Sequence, residues 1–108
     1  MATPYEILKA EVNFNTIGDH TIVNGAAGKQ IYIRSINLIV NGAQILIFKT
    51  GSTALAPANG FNFSAAGQLI ELLRGYRDAY MITNAGDNLV INGSAAVQVS
   101  GFIEYSQS

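Results

Sequence analysis

Cysteine and tryptophan are absent from this 108-residue chain, and histidine occurs once. Without cysteine there is no disulfide scaffold, no thiolate metal site and no cysteine nucleophile. A single histidine rules out a histidine-rich metal centre within one chain. Charge is also scarce. Lys and Arg number 6 and Asp and Glu 7, together 12% of the residues, for a formal net charge of -1. A typical soluble domain is about 25% charged. A nucleic-acid partner needs a clustered positive footprint, and none is visible. No apolar run approaches the roughly 20 residues of a membrane helix. Met1 to Lys9 lack the long apolar stretch of a signal peptide. The expectation is a chain made and folded in a cytoplasm, whatever its later destination, with neither nucleic acid nor membrane as partner.

What is present is apolar: 49% of the residues are hydrophobic. For a chain of 11.5 kDa, surface scaling gives roughly 5,800 Å² folded against about 16,700 Å² unfolded. One domain with a modest core fits that size. With so few charges, the surface must be built from Asn, Gln, Ser, Thr and Gly, or be covered by a partner.

Turn signals recur at short intervals. Asn24-Gly25, Asn41-Gly42, Asn59-Gly60 and Asn92-Gly93 suit tight turns, because Asn and Gly tolerate positive φ. Ala27-Gly28, Gly51-Ser52, Ala66-Gly67 and Ala85-Gly86 punctuate the rest. Few intervals between them are long enough for a three-turn helix, so the chain reads as all-β.

The clearest strand is Gln30 to Val40. Ile31 and Ile33 share one parity, and Ile36, Leu38 and Val40 the other, so a bulge near Arg34 or Ser35 would reconcile the halves. Gln44 to Thr50 follows, apolar on both parities, and the two segments read as a hairpin. Thr21–Val23, Phe61–Phe63, Ala79–Thr83, Asn88–Ile91 and Ala95–Tyr105 read as further strands. Leu69 to Leu73 reads as a strand or a turn of helix. Phe102 lies on the second face of the last strand, and Gly101 marks a bend or close backbone approach. About eight short strands predict a jelly-roll-like antiparallel β-sandwich. Residues 1–16 alternate weakly and read as an N-terminal arm or edge strand, with 17–108 as the sandwich domain.

Catalytic and metal constellations are not legible. Asp19-His20 with Glu11 offers oxygen and nitrogen ligands, but strand neighbours diverge unless they sit in a turn, and an ordinary turn is the simpler reading. No G-x-S-x-G elbow is present. Gly25-Ala26-Ala27-Gly28-Lys29 lacks the Ser or Thr of a phosphate loop, having Gln30 there, and reads as a hairpin turn. Lys49 reads as a solubilising strand end. The expectation is a non-enzyme with no cofactor and no metal.

The densest polar and aromatic segment runs from Glu71 to Tyr80. Arg74, Tyr76, Arg77, Asp78 and Tyr80 suit protein contact, since Tyr and Arg are enriched in hot spots. The next alternative is a surface loop whose charges pair locally; a lesser one is stacking of Tyr76 on a host glycan, with Arg77 and Asp78 supplying polar contacts.

Four segments carry a resemblance. They are Ala27 to Ile33, Gly42 to Lys49, Gly51 to Leu55, and Ser94 to Tyr105. Together they resemble small virion proteins of tailed bacteriophages, over about Thr21 to Tyr105. The resemblance implies a jelly-roll or sandwich module on the virion, similar to capsid decoration or cement proteins. These commonly assemble as trimers between capsomers; related modules sit on tails or fibres. The implied partners are further copies of the chain and the major capsid protein. The resemblance does not cover the first twenty residues; from their weak patterning, an arm including Pro4, Tyr5, Ile7 and Leu8, ordering on the shell, is the expected capsid-contacting surface beside the trimer interface. The alternative is a glycan-binding module of a tail or fibre.

Overall fold

The computed structural model describes residues 6–71 and 79–108. Ten strands form two antiparallel sheets with no helix among the described residues. They are β1 (Leu8–Phe14), β2 (Gly18–Val23), β3 (Ile31–Val40), β4 (Gln44–Thr50), β5 (Thr53–Ala54), β6 (Phe61–Phe63), β7 (Gly67–Glu71), β8 (Met81–Ile82), β9 (Leu89–Gly93) and β10 (Val99–Gln107). The first sheet runs β1-β10-β3-β7, with β8 also on β3. The second runs β2-β9-β4-β5, with β6 also on β4. Leaving aside the two-residue strands β5 and β8, four strands face four in the order of a jelly roll. The accessible surface, 5795 Å², is that expected of a closed domain of this mass.

The core lies between the sheets. From the first come Val12, Phe14, Ile31, Ile33, Ile36, Leu38, Val40, Val99 and Ile103; from the second, Val23, Leu46, Phe48, Leu89 and Ile91. Phe61 meets Phe48 edge-to-face, with ring centroids 5.8 Å apart.

The parity switch in β3 has the physical cause expected of it. Ser35 pairs with Glu104, but Ile33 pairs with Tyr105, so Arg34 is an extra residue opposite β10. This bulge lets Ile31 and Ile33 share the inward face with Ile36, Leu38 and Val40. The Arg34 side chain is buried, and its Nε and Nη2 donate to Ser106 Oγ at 3.3 and 3.2 Å. Gly101 serves the close approach expected: a Cβ there would fall 1.9 Å from the Asn37 carbonyl oxygen, and its φ is +143°.

Several expectations are corrected. β3 and β4 do not form a hairpin; they lie in opposite sheets, and Asn41 to Ala43 carries the chain between them. The cause is pairing elsewhere: β3 is held by β10 and β7, β4 by β9 and β6. Gly25 to Lys29 is likewise an inter-sheet connection, with its turn closed by Lys29 N donating to Ala26 O at 3.0 Å. Asn92-Gly93 ends strand β9 rather than making a turn. Of the two readings of Leu69 to Leu73, strand or helical turn, the described part is strand, within β7. Of the two readings of the N-terminal residues, arm or edge strand, β1 takes the second: it is paired along its length with β10 and contributes Val12 and Phe14 to the core.

Candidate interaction surface

The outward faces of the two sheets differ in what covers them. On the second sheet, Ile45 and Ile47 of β4 point away from the core and are half-buried. The chain itself covers them. A Cβ at Gly60 would lie 2.7 Å from Ile47 Cγ1 and 2.8 Å from Ile45 Cγ2, so the backbone before β6 presses on both. Beside them is a polar cluster. Lys49 Nζ reaches both carboxylate oxygens of Asp19, at 3.1 and 3.0 Å, and Asn92 Nδ2 donates to Asp19 Oδ1 at 2.8 Å. The hydrogen bond from Asn92, then that from Lys49, holds the Asp19 carboxyl below its ordinary range. Lys49 is thus an ion-pair partner and not merely a strand-end solubiliser.

Among the described residues, nothing covers the outer face of the first sheet. One row across it consists of Ile70, Asn37, Phe102 and Glu11, on β7, β3, β10 and β1. The next consists of Gln68, Ile39, Ser100 and Asn13. A third contains Ser35, Glu104 and Lys9. Ile39, Ile70 and Phe102 are 48%, 50% and 36% exposed. At a strand spacing of about 4.8 Å, Ile70 and Phe102 lie about 10 Å apart on either side of Asn37, with Ile39 about 7 Å along β3. Among the described residues the charges of these rows, Glu11, Lys9 and Glu104, lie on β1 and β10: Lys9 Nζ sits 4.5 Å from the centre of the Phe102 ring, and Ser35 Oγ donates to Glu104 Oε1 at 2.5 Å. The three apolar side chains thus sit among Asn37, Gln68 and Ser100, with the charged residues to one side. Isolated exposed apolar residues are ordinary on a protein surface; here three are neighbours on one sheet face.

Of the residues singled out from sequence, Arg74, Tyr76, Arg77, Asp78, Pro4 and Tyr5 lie outside the described residues. Tyr80 is not a projecting loop residue: its backbone N donates to Ile33 O at 2.6 Å and its side chain packs against the core. Ile7 is exposed just before β1. Leu8 is half-buried within β1 and paired with Tyr105, so it belongs to the sandwich and not to a free arm.

Asp19 and His20 lie in β2, not in a turn, and face opposite sides. The His20 ring stacks on Phe14 with centroids 4.0 Å apart, and its Nε2 donates to Thr16 O at 2.9 Å. Among the described residues, no three His, Cys, Asp or Glu side chains cluster to hold a metal ion. In the Gly25 to Lys29 connection, Gly25 N donates to Asn88 Oδ1 at 2.7 Å, and Lys29 N is taken by the turn. Those amides are committed to the fold and do not form a phosphate cradle.

The residues missed by sequence reading are Ile39 and Ile70. Ile39 alternates with the inward Leu38 and Val40, but Ile70 reaches the same face only through the pairing of β7 with β3. The chain matches no family model, no curated protein and no solved structure.

Proposed function

We propose that the protein is a structural component of a tailed-bacteriophage virion, a decoration protein that docks on the major capsid subunits and stabilises the head. The observation that carries this reading is the uncovered apolar face formed by Ile39, Ile70 and Phe102. A jelly roll is an architecture that viral coat proteins use, which agrees with the reading but is a fold-level analogy.

Energetics favour a multivalent arrangement. Completing the burial of three half-exposed side chains gains on the order of 3 kcal/mol. Association costs about 4 kcal/mol or more before any ordering of side chains. One such contact therefore binds weakly. Copies joined in a trimer engage the shell together, and avidity then raises occupancy about a hundredfold or more without a new contact. A closed ring also satisfies its own interfaces without growing into a fibre.

The experiment is cryo-electron microscopy of the parent particle, with light scattering of the purified protein. A trimer seated on the head shell supports the reading. A location on the tail, or a stable monomer without affinity for shells, refutes it. Glycan binding rests on Tyr76, Arg77 and Asp78, and no observation of the described residues favours it.

A further inference from the structure

Four Asn-Gly pairs occur in the chain, and each is chemically prone to cyclise. The backbone nitrogen of the glycine loses its proton and attacks the asparagine Cγ. The Cγ–N bond of the amide breaks, ammonia leaves and a five-membered succinimide forms. Water then opens either carbonyl, giving aspartate or isoaspartate. The step requires a glycine nitrogen that is free to give up its proton and backbone that is free to bend toward the side chain.

The fold treats the four pairs differently. Gly25 N donates to Asn88 Oδ1 at 2.7 Å, and a Cβ there would fall 2.3 Å from Gly86 O, so backbone is wedged against it. Gly60 N donates to Pro57 O at 2.9 Å and lies against the Leu46 carbonyl. Gly93 is buried in β9 and paired with both Gly18 and Leu46, while the Asn92 amide donates to Asp19. Asn41-Gly42 differs from all three. It lies in the three-residue connection between the sheets, and Asn41 is exposed. Among the described residues no hydrogen bond engages Gly42 N. The nearest atom to a Cβ at Gly42 would be a methyl of Val97, at 3.2 Å, and not backbone.

We propose that Asn41 is the chain's site of spontaneous deamidation, converting to aspartate and isoaspartate while the other three Asn-Gly pairs are protected by the fold. The product adds one negative charge at the end of the sandwich where β3 passes to β4. This inference does not depend on the virion reading.

The test is peptide mapping by mass spectrometry after timed incubation of the folded protein at mildly alkaline pH, beside a denatured control. Replacement of an amide NH₂ by a hydroxyl oxygen is read at each site. The expected result is conversion at Asn41 at least several-fold faster than at Asn24, Asn59 or Asn92, with the four rates converging in the denatured control. Asn41→Gln should abolish the fast component. Faster conversion at any of the other three in the folded protein overturns the proposal. So does an intact Asn41 over a period in which the denatured control is largely converted.

Discussion

Lys9 on β1 lies over the ring of Phe102 on β10, with its ammonium 4.5 Å from the ring centre. The contact marks the border between the charged margin of the first sheet and its apolar centre. Because it is solvent-exposed, it is worth only about 0.5–1 kcal/mol to the fold. Lys9→Ala should therefore shift the urea midpoint slightly. A loss above about 2 kcal/mol would mean that Lys9 has a structural role beyond that contact.

Gly101 is the position least tolerant of a side chain. A Cβ would meet the Asn37 carbonyl oxygen at 1.9 Å, and the backbone is already at φ +143°. Gly101→Ala must push β10 from β3, and we expect a loss of about 2 kcal/mol or more. In a domain of this size that lowers the melting temperature by roughly 10 °C. An unchanged melting curve would show that the β10–β3 register is wrong.

Ile103 is fully buried, paired with Ile36 on one side and Ala10 on the other. Ile103→Ala removes buried methyl groups and leaves a cavity, for an expected cost of about 2–5 kcal/mol; Ile103→Val should cost about 0.5–1.5 kcal/mol. Chemical denaturation of the two variants checks the order and the sizes.

The carboxyl of Asp19 is held below its ordinary value of 3.8 by Asn92 and Lys49. A folded-state pKa lower than the unfolded one adds stability that is present above 3.8 and lost as pH falls through the folded value. With Asp19 half-exposed, the contribution is at most about 1 kcal/mol and is weakened by salt. Asp19→Asn should thus lower the urea midpoint at pH 7 and leave it nearly unchanged in strong acid. Equal losses at both pH values would contradict the ion-pair account.

Much of the architecture was legible in the residues. The apolar parity break between Ile33 and Ile36 located the bulge, and turn chemistry separated the strands. Gln44–Thr50 and Phe61–Phe63 have the bounds read from sequence. The sheet assignment of neighbouring strands was not legible. A short Asn-Gly connection looks the same whether it folds a strand back beside its predecessor or passes it to the facing sheet; long-range pairing with β10 and β9 decides. The two-sided apolarity of β4 was legible, but the cover over Ile45 and Ile47 comes from Gly60, too far along the chain for local pattern to reveal. For the same reason the uncovered surface was not found from sequence. Ile39, Phe102 and Ile70 are separated widely in sequence and meet only through the register of three strands.

The central claim is that this uncovered face of the first sheet docks on a capsid shell. Its most direct measurement is co-sedimentation of the protein with shells lacking it, comparing wild type with the Ile39→Glu/Ile70→Glu double variant. Both side chains are about half exposed, so the variant should keep its melting temperature within a few degrees, at about 0.5 kcal/mol per exposed site. The account predicts saturable binding by the wild type and at least about tenfold weaker binding by the variant, since each lost contact is worth about 1 kcal/mol and is repeated in every copy. Equal binding by the two proteins, or none by either, would contradict it.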